Sequence, residues 1–115
     1  ALAAGADDYV PTETTATVAD GIALARPVRL RQMLAAVRRT GGACVTVTED
    51  EIVAALKSLL ALGLFVEPTS AAGAAGLSRL IAEGAVGAGQ TTVLILPGSG
   101  LKAAARIGEL LGLDG

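Results

Sequence analysis

The order of apolar and polar positions along the chain predicts helices that alternate with short apolar segments. Helices are expected at about residues 18–25, 27–39, 49–62, 69–83 and 101–111. Pro27 suits the first turn of the second helix, and Gly63 ends the third. The fourth helix is very rich in Ala and Gly, and such small side chains allow a helix to lie close to a sheet or to another helix.

The clearest local signal stands at the start of the third helix. Thr48 is followed three residues later by Glu51, which is the spacing of a capping box. The Thr48 hydroxyl and the Glu51 carboxylate are each expected to accept a hydrogen bond from a backbone amide at this helix end. Glu49 and Asp50 add negative charge where the helix dipole favours it.

Three apolar segments between the predicted helices, at residues 44–47, 64–66 and 91–96, predict strands. The last is continuously apolar, which is typical of a buried parallel strand. Alternating helices and strands predict an α/β fold, a three-layer-like arrangement of a short parallel sheet and flanking helices over residues 17–115. Residues 1–16 are predicted to be an extended connector. Its turn-forming or extended residues are Asp7, Asp8, Pro11, Thr12, Thr14 and Thr15.

Composition excludes several classes of function. The chain has 115 residues, a formal net charge of −2 and only two aromatic residues, Tyr9 and Phe65, so neither nucleic acid nor a membrane is an expected partner. The chain contains no histidine, so it cannot supply a Ser-His or Cys-His pair. Cys44 is the single cysteine, which excludes an internal disulfide and favours a cytoplasmic location. Because the chain opens on Ala1 in mid-pattern, it is expected to be a piece of a longer protein.

Two positions are candidates for ligand contacts. Gly98-Ser99-Gly100 is a turn between a predicted strand and a helix, where α/β proteins expose backbone amides to ligands. It lacks the Gly-Lys-Ser/Thr pattern of a P-loop, and taken alone it also fits a plain connecting turn. Glu67, between a predicted strand and Pro68, fits either a carboxylate near a helix N-terminus or a residue beside a ligand.

Five segments in a fixed order resemble the carboxy-terminal part of threonine synthase, a pyridoxal-phosphate (PLP) enzyme of fold type II with the tryptophan synthase β-like fold. The segments are Thr17–Ala23, Arg26–Arg29, Val45–Ile52, Phe65–Ala72 and Gly98–Lys102. The resemblance implies that the chain belongs to the large domain of such an enzyme. It also implies cofactor-binding positions at Gly98, Ser99, Gly100 and Glu67. Related threonine dehydratases and serine racemases usually have Ser-Gly-Gly-Asn at the final turn, so Gly-Ser-Gly-Leu-Lys favours threonine synthase.

The sequence departs from the family pattern at two positions. The family usually has Thr-Gly, a variable residue and then Gly-Leu-Lys-Asp, and its threonine contacts the pyridine nitrogen of PLP. Pro97 stands at the threonine position and Ala103 at the aspartate position. Ser99, two residues after Pro97, is the candidate replacement. The lysine that holds PLP covalently and the glycine-rich phosphate loop lie upstream of this region in the family.

The resemblance predicts a fragment of a lyase that converts O-phosphohomoserine to threonine and phosphate. The fragment is expected to have no catalytic residue, no bound PLP and no activity of its own. Its expected partners are the missing amino-terminal part of the enzyme and, through exposed apolar surface, further copies of itself. The alternatives are a fragment of a threonine dehydratase or serine racemase-like enzyme, and a non-catalytic α/β small-ligand or interaction module.

Overall fold

The computed structural model of the protein describes residues 1–10, 13 and 15–113. Its α-helices are α1 (Leu30–Arg39), α2 (Glu49–Ala61), α3 (Pro68–Ala82) and α4 (Ala104–Leu111). Short 3-10 turns cover Asp20–Ile22 and Gly100–Ala103. In the predicted connector, Pro11, Thr12 and Thr14 lie outside the described residues, as do the last two residues of the predicted domain.

The capping box at the start of α2 is confirmed. The Glu51 amide donates a hydrogen bond to Thr48 Oγ1 at 3.3 Å, and the Thr48 amide donates one to Glu51 Oε2 at 2.6 Å. The helix stops before Gly63, whose φ of 81° is a left-handed conformation that glycine adopts without a steric penalty. Both ends of α2 therefore follow the local side-chain and backbone chemistry that the sequence predicts.

Helices α2 and α3 pack against each other and form most of the core. Leu56 is completely buried, and alanines on α3 allow the two helix backbones to approach closely. The buried apolar residues of the main cluster are Ala19, Ile52, Leu56, Leu59, Val66, Ala71, Ala72, Ala75 and Ile107. An ion pair of 2.6 Å between Arg79 and Glu51 joins the two helices at one end. None of the described helices is long and apolar enough to cross a membrane.

The predicted strands are wrong for this chain: within the described residues, segments 44–47, 64–66 and 91–96 form no sheet. A single antiparallel bridge joins Val66 and Ser99. A strand requires hydrogen bonds to a neighbouring strand, and neither 44–47 nor 91–96 has a backbone partner among the described residues. The burial pattern of a strand nevertheless persists in part. Leu94 and Leu96 are half-buried, while Val93 and Ile95, which alternate with them, are exposed.

Three other helices have bounds that differ from those predicted from the sequence. The helix expected at 18–25 is reduced to the turn Asp20–Ile22, because an isolated helix of that length is marginal and the Gly21 amide instead donates to Thr69 Oγ1. The second helix begins at Leu30 rather than 27. The last begins as the 3-10 turn Gly100–Ala103, and its α-helical part starts at Ala104.

The first ten residues contain a turn, with a hydrogen bond from the Gly5 amide to the Leu2 carbonyl. Asp8 forms an ion pair of 2.7 Å with Arg31 on α1, and Asp7 pairs with Arg38, about two turns further along the same helix. The basic residues of α1 therefore hold the start of the chain in place. The domain boundary near residue 16 stays a prediction.

Acid is expected to weaken the α2–α3 unit through Glu51. A hydrogen bond from Arg79, and then one from the Thr48 amide, lower the pKa of Glu51 from 4.5 to about 2. Because the folded-state pKa is depressed, the stabilisation is fully present above pH 4.5 and is lost as the pH falls through about 2. Urea unfolding of the chain between pH 7 and pH 2, followed by circular dichroism, measures this loss.

The matched variant is Glu51→Gln, which keeps a side-chain acceptor at the capping position and has no charge to titrate. Its unfolding midpoint should fall less over the same pH interval than that of the unmodified chain. An equal fall in both proteins would contradict the assignment to Glu51.

Candidate functional site

The segment 65–67 and the turn 98–100 pair with each other beside the N-terminus of α3, and this pairing brings the candidate site residues together. The Glu67 amide donates to the Gly98 carbonyl at 3.1 Å, and the Gly100 amide donates to the Phe65 carbonyl at 3.0 Å. These two bonds flank the Val66–Ser99 bridge. Glu67 and the turn Gly98–Gly100 are therefore neighbours, although they lie about thirty residues apart in the sequence.

Ser70, on the first turn of α3, fixes the position of the turn. It is 2% exposed. Its Oγ accepts a hydrogen bond from the Gly98 amide at 2.9 Å and donates one to the Gly98 carbonyl at 3.3 Å. The sequence analysis did not select this residue. The sequence shows only that Ser70 is a hydroxyl residue in the first turn of a helix that begins with Pro68. It does not show that the hydroxyl binds Gly98.

Both glycines of the turn lie against side chains of the segment 65–67. A Cβ atom at position 98 would lie 1.7 Å from Glu67 Oε1, and one at position 100 would lie 2.9 Å from the Phe65 ring. The first separation is far below the contact distance of two non-bonded atoms, so any larger residue at 98 requires the Glu67 side chain to move. The turn and the segment 65–67 are therefore packed directly against each other.

The Glu67 carboxylate lies across Gly98 and faces Lys102. Its Oε2 is 3.0 Å from Lys102 Nζ, and its side chain is 19% exposed against 68% for Lys102. Glu67 precedes α3, but its side chain makes no capping hydrogen bond to the helix. Glu67 nevertheless lies at the N-terminus of α3, as the first of the two interpretations left open by the sequence requires, and its role beside a ligand stays a prediction. The carboxylate instead joins the turn to the 3-10 segment that follows it.

Ser99 is the exposed member of the turn. Its Oγ accepts a hydrogen bond from the Leu101 amide at 3.3 Å, which caps the 3-10 turn. Among the described residues its hydroxyl hydrogen has no acceptor, so the group is free to donate outward. Pro97 beside it is also exposed, and proline has no amide to donate.

Other candidate chemistry is lacking in the part of the chain that the structure describes. No group of three acidic or cysteine side chains is placed to hold a metal ion there. Cys44 is an exposed free thiol. Lys57 is exposed on α2, away from the turn, as its place on the polar face predicts.

The sequence of this chain is similar to those of known proteins. The sequence profile of the family described as "Pyridoxal-phosphate dependent enzyme" matches residues 1–98. The chain is 43% identical over 103 residues to the threonine synthase of Methanosarcina acetivorans, covering 89% of this chain and 25% of that protein. It is 40% identical to that of Methanocaldococcus jannaschii, covering 84% and 24%. It is 36% identical to that of Mycobacterium tuberculosis, covering 87% and 29%.

The chain thus spans about a quarter of the length of these relatives. The profile ends at Gly98, while the identity to the Methanosarcina acetivorans protein extends over most of the chain. The resemblance stated from five short segments is confirmed. This chain belongs to the family of pyridoxal-phosphate dependent enzymes.

Proposed function

We propose that this chain is the carboxy-terminal part of a PLP-dependent lyase that, like threonine synthase, converts O-phosphohomoserine to threonine and phosphate. The observation that carries the proposal is the 43% identity to a threonine synthase over 89% of the chain. When bound, PLP supplies the electron sink for such chemistry. The 115-residue chain supplies one edge of the cofactor site and no catalytic residue.

The exposed turn fits the ring edge of PLP. The Ser99 hydroxyl is held by the Leu101 amide and keeps its hydrogen free, so it can donate to a pyridine nitrogen as the family's threonine does. The Ser70 bonds to Gly98 hold that turn against α3. Glu67, paired with Lys102, lies behind Gly98 and orients the turn. Gly98, Gly100 and Glu67 act by placing Ser99.

The lysine that holds PLP covalently and the loop that binds its phosphate belong to the part of the full-length enzyme outside this chain. Lys57 is exposed on α2, and Lys102 is engaged with Glu67. The family has an α/β fold. In the parent we expect the segments 44–47 and 91–96 to join the short parallel sheet that the sequence predicts. A cytoplasmic location, which rests on composition, and self-association of the fragment also remain predictions.

The full-length protein that contains this chain tests the proposal. It should show the absorbance of bound PLP and release phosphate from O-phosphohomoserine. Ser99→Ala should weaken PLP binding about tenfold, the effect of losing one hydrogen bond of about 1.4 kcal/mol. Ser99→Thr, which keeps the hydroxyl, is the matched control and should restore most of the affinity. A full-length protein with neither PLP absorbance nor phosphate release would refute the proposal.

The isolated chain is expected to form no covalent PLP adduct. A lysine becomes a nucleophile when burial or neighbouring positive charge favours its neutral amine. Lys57 is exposed, and Lys102 is 68% exposed beside a carboxylate. Incubation with PLP, reduction with borohydride and mass spectrometry should return the unmodified mass. A stoichiometric pyridoxyl adduct on Lys102 would contradict the assignment of this chain to the region without the anchoring lysine.

A further inference from the structure

The ion pair between Glu67 and Lys102 lies behind the turn, on the face opposite to the Ser99 side chain. Val66 and Ser99 form the antiparallel bridge, so Glu67 stands directly opposite Gly98 in the same pairing. Both Glu67 and Ser99 have extended backbones, and successive side chains of paired extended segments point to opposite faces. The Glu67 carboxylate is therefore a negative charge directly behind the hydroxyl that the proposed cofactor contact uses.

Lys102 is the single partner of this carboxylate within the described residues. Lys102 Nζ lies 3.0 Å from Glu67 Oε2, and no other described side chain or amide contacts either oxygen through a hydrogen bond or ion pair. The Glu67 side chain is only 19% exposed, so little water is available to screen its charge. Without Lys102, a largely buried carboxylate would stand unpaired next to the turn.

The charge beside a pyridine ring influences whether the ring nitrogen carries a proton. A nearby carboxylate favours the protonated, cationic ring. Ser99 Oγ already accepts a hydrogen bond from the Leu101 amide, and its hydrogen is free to donate. A donor of this kind needs an unprotonated nitrogen, because the nitrogen must accept the hydrogen bond. An unpaired Glu67 would therefore work against the contact that Ser99 makes.

We propose that Lys102 is a positioning residue for the cofactor contact, and that it acts by neutralising the Glu67 carboxylate. With that charge cancelled, the ring nitrogen of PLP stays unprotonated and accepts the hydrogen of Ser99. The ion pair also holds the carboxylate over Gly98, against which it packs. The inference rests on the proposed function, because it requires PLP at this turn. Lys102 itself touches neither the cofactor nor the substrate.

The full-length protein is tested with PLP that is isotopically labelled at the ring nitrogen. The nitrogen chemical shift at neutral pH distinguishes the protonated from the unprotonated ring, and the unmodified protein should show the unprotonated value. Lys102→Met removes the charge and keeps an unbranched side chain, so the shift should move toward the protonated value. Binding of PLP should weaken about three- to fivefold, because exposed ion pairs contribute little.

Two matched variants separate the charge of Lys102 from a purely structural role. Lys102→Arg keeps the positive charge and should retain the chemical shift of the unmodified protein. Glu67→Gln combined with Lys102→Met removes both charges with little change in side-chain size, so it should return the shift to the unprotonated value. A purely structural role predicts the opposite, because the double variant lacks the ion pair just as Lys102→Met does.

The chemical shift also separates this inference from the enzyme function. A full-length protein that binds PLP and releases phosphate, but whose nitrogen shift is the same with and without Lys102, would overturn the inference alone. A protonated ring in the unmodified protein, or a double variant that stays at the protonated value, would do the same. The expected shifts without phosphate release would support the inference and count against the proposed reaction. A full-length protein that binds no PLP would refute both.

Discussion

Leu56→Ala is expected to remove a large part of the stability of the isolated chain. Leu56 is completely buried between α2 and α3. Truncation of such a leucine costs about 2–5 kcal/mol, from lost apolar burial together with the cavity that remains. Small domains have only about 5–15 kcal/mol in total, and four of the nine buried residues of the main cluster are alanines, which bury little apolar surface. Chemical unfolding followed by the helical circular dichroism signal should show a much lower midpoint.

Leu62→Ala is the matched control for this change. Leu62 follows directly after α2 and is 75% exposed, so the same truncation removes little buried surface. We expect its cost to stay within about 0.5 kcal/mol, as for other surface substitutions. Equal losses in the two variants would mean that the α2–α3 contact is not the main source of stability.

Gly98→Ala is expected to disrupt the candidate site and lower stability by about 1–3 kcal/mol, the usual cost of overpacking. The added Cβ would lie 1.7 Å from Glu67 Oε1 and 2.0 Å from the carboxyl carbon. Because the carboxyl group itself must move, we expect the 3.0 Å ion pair with Lys102 to be lost. The full-length variant should also bind PLP more weakly, since the turn that presents Ser99 shifts.

Two further variants isolate the cause. Gly87→Ala adds the same methyl group in a loop, where the nearest atom is 3.8 Å away, and should change little. Glu67→Ala combined with Gly98→Ala removes the carboxylate that the new methyl group meets. The double variant should therefore lose less stability than the two single losses added together. Strict additivity would show that the clash with Glu67 is not the reason for the effect.

The candidate site could be predicted from the sequence only in part. The resemblance selected Glu67 and Gly98–Gly100, and the structure places them side by side. Their roles toward PLP remain a proposal. Ser70 was not selected, because its importance depends on Gly98, 28 residues away. A hydroxyl in the first turn of a helix looks the same in a sequence whether it faces water or a buried turn.

The sequence by itself determined the elements whose interactions are local. The capping box joins Thr48 and Glu51, three residues apart, and α2 and α3 follow from apolar spacing, Pro68 and Gly63. Helical hydrogen bonds close within four residues, so neighbouring positions carry the necessary information.

The tertiary structure decided what depends on distant partners. The apolar runs at 44–47 and 91–96 have the side chains of strands, but a strand exists only beside another strand, and the described chain supplies none for them. The contact of Glu67 with Gly98 likewise arises only when α3 and the last turn are packed together. Local hydrogen bonds can be read from spacing, whereas pairing and close packing depend on which distant segment is present to fill the space.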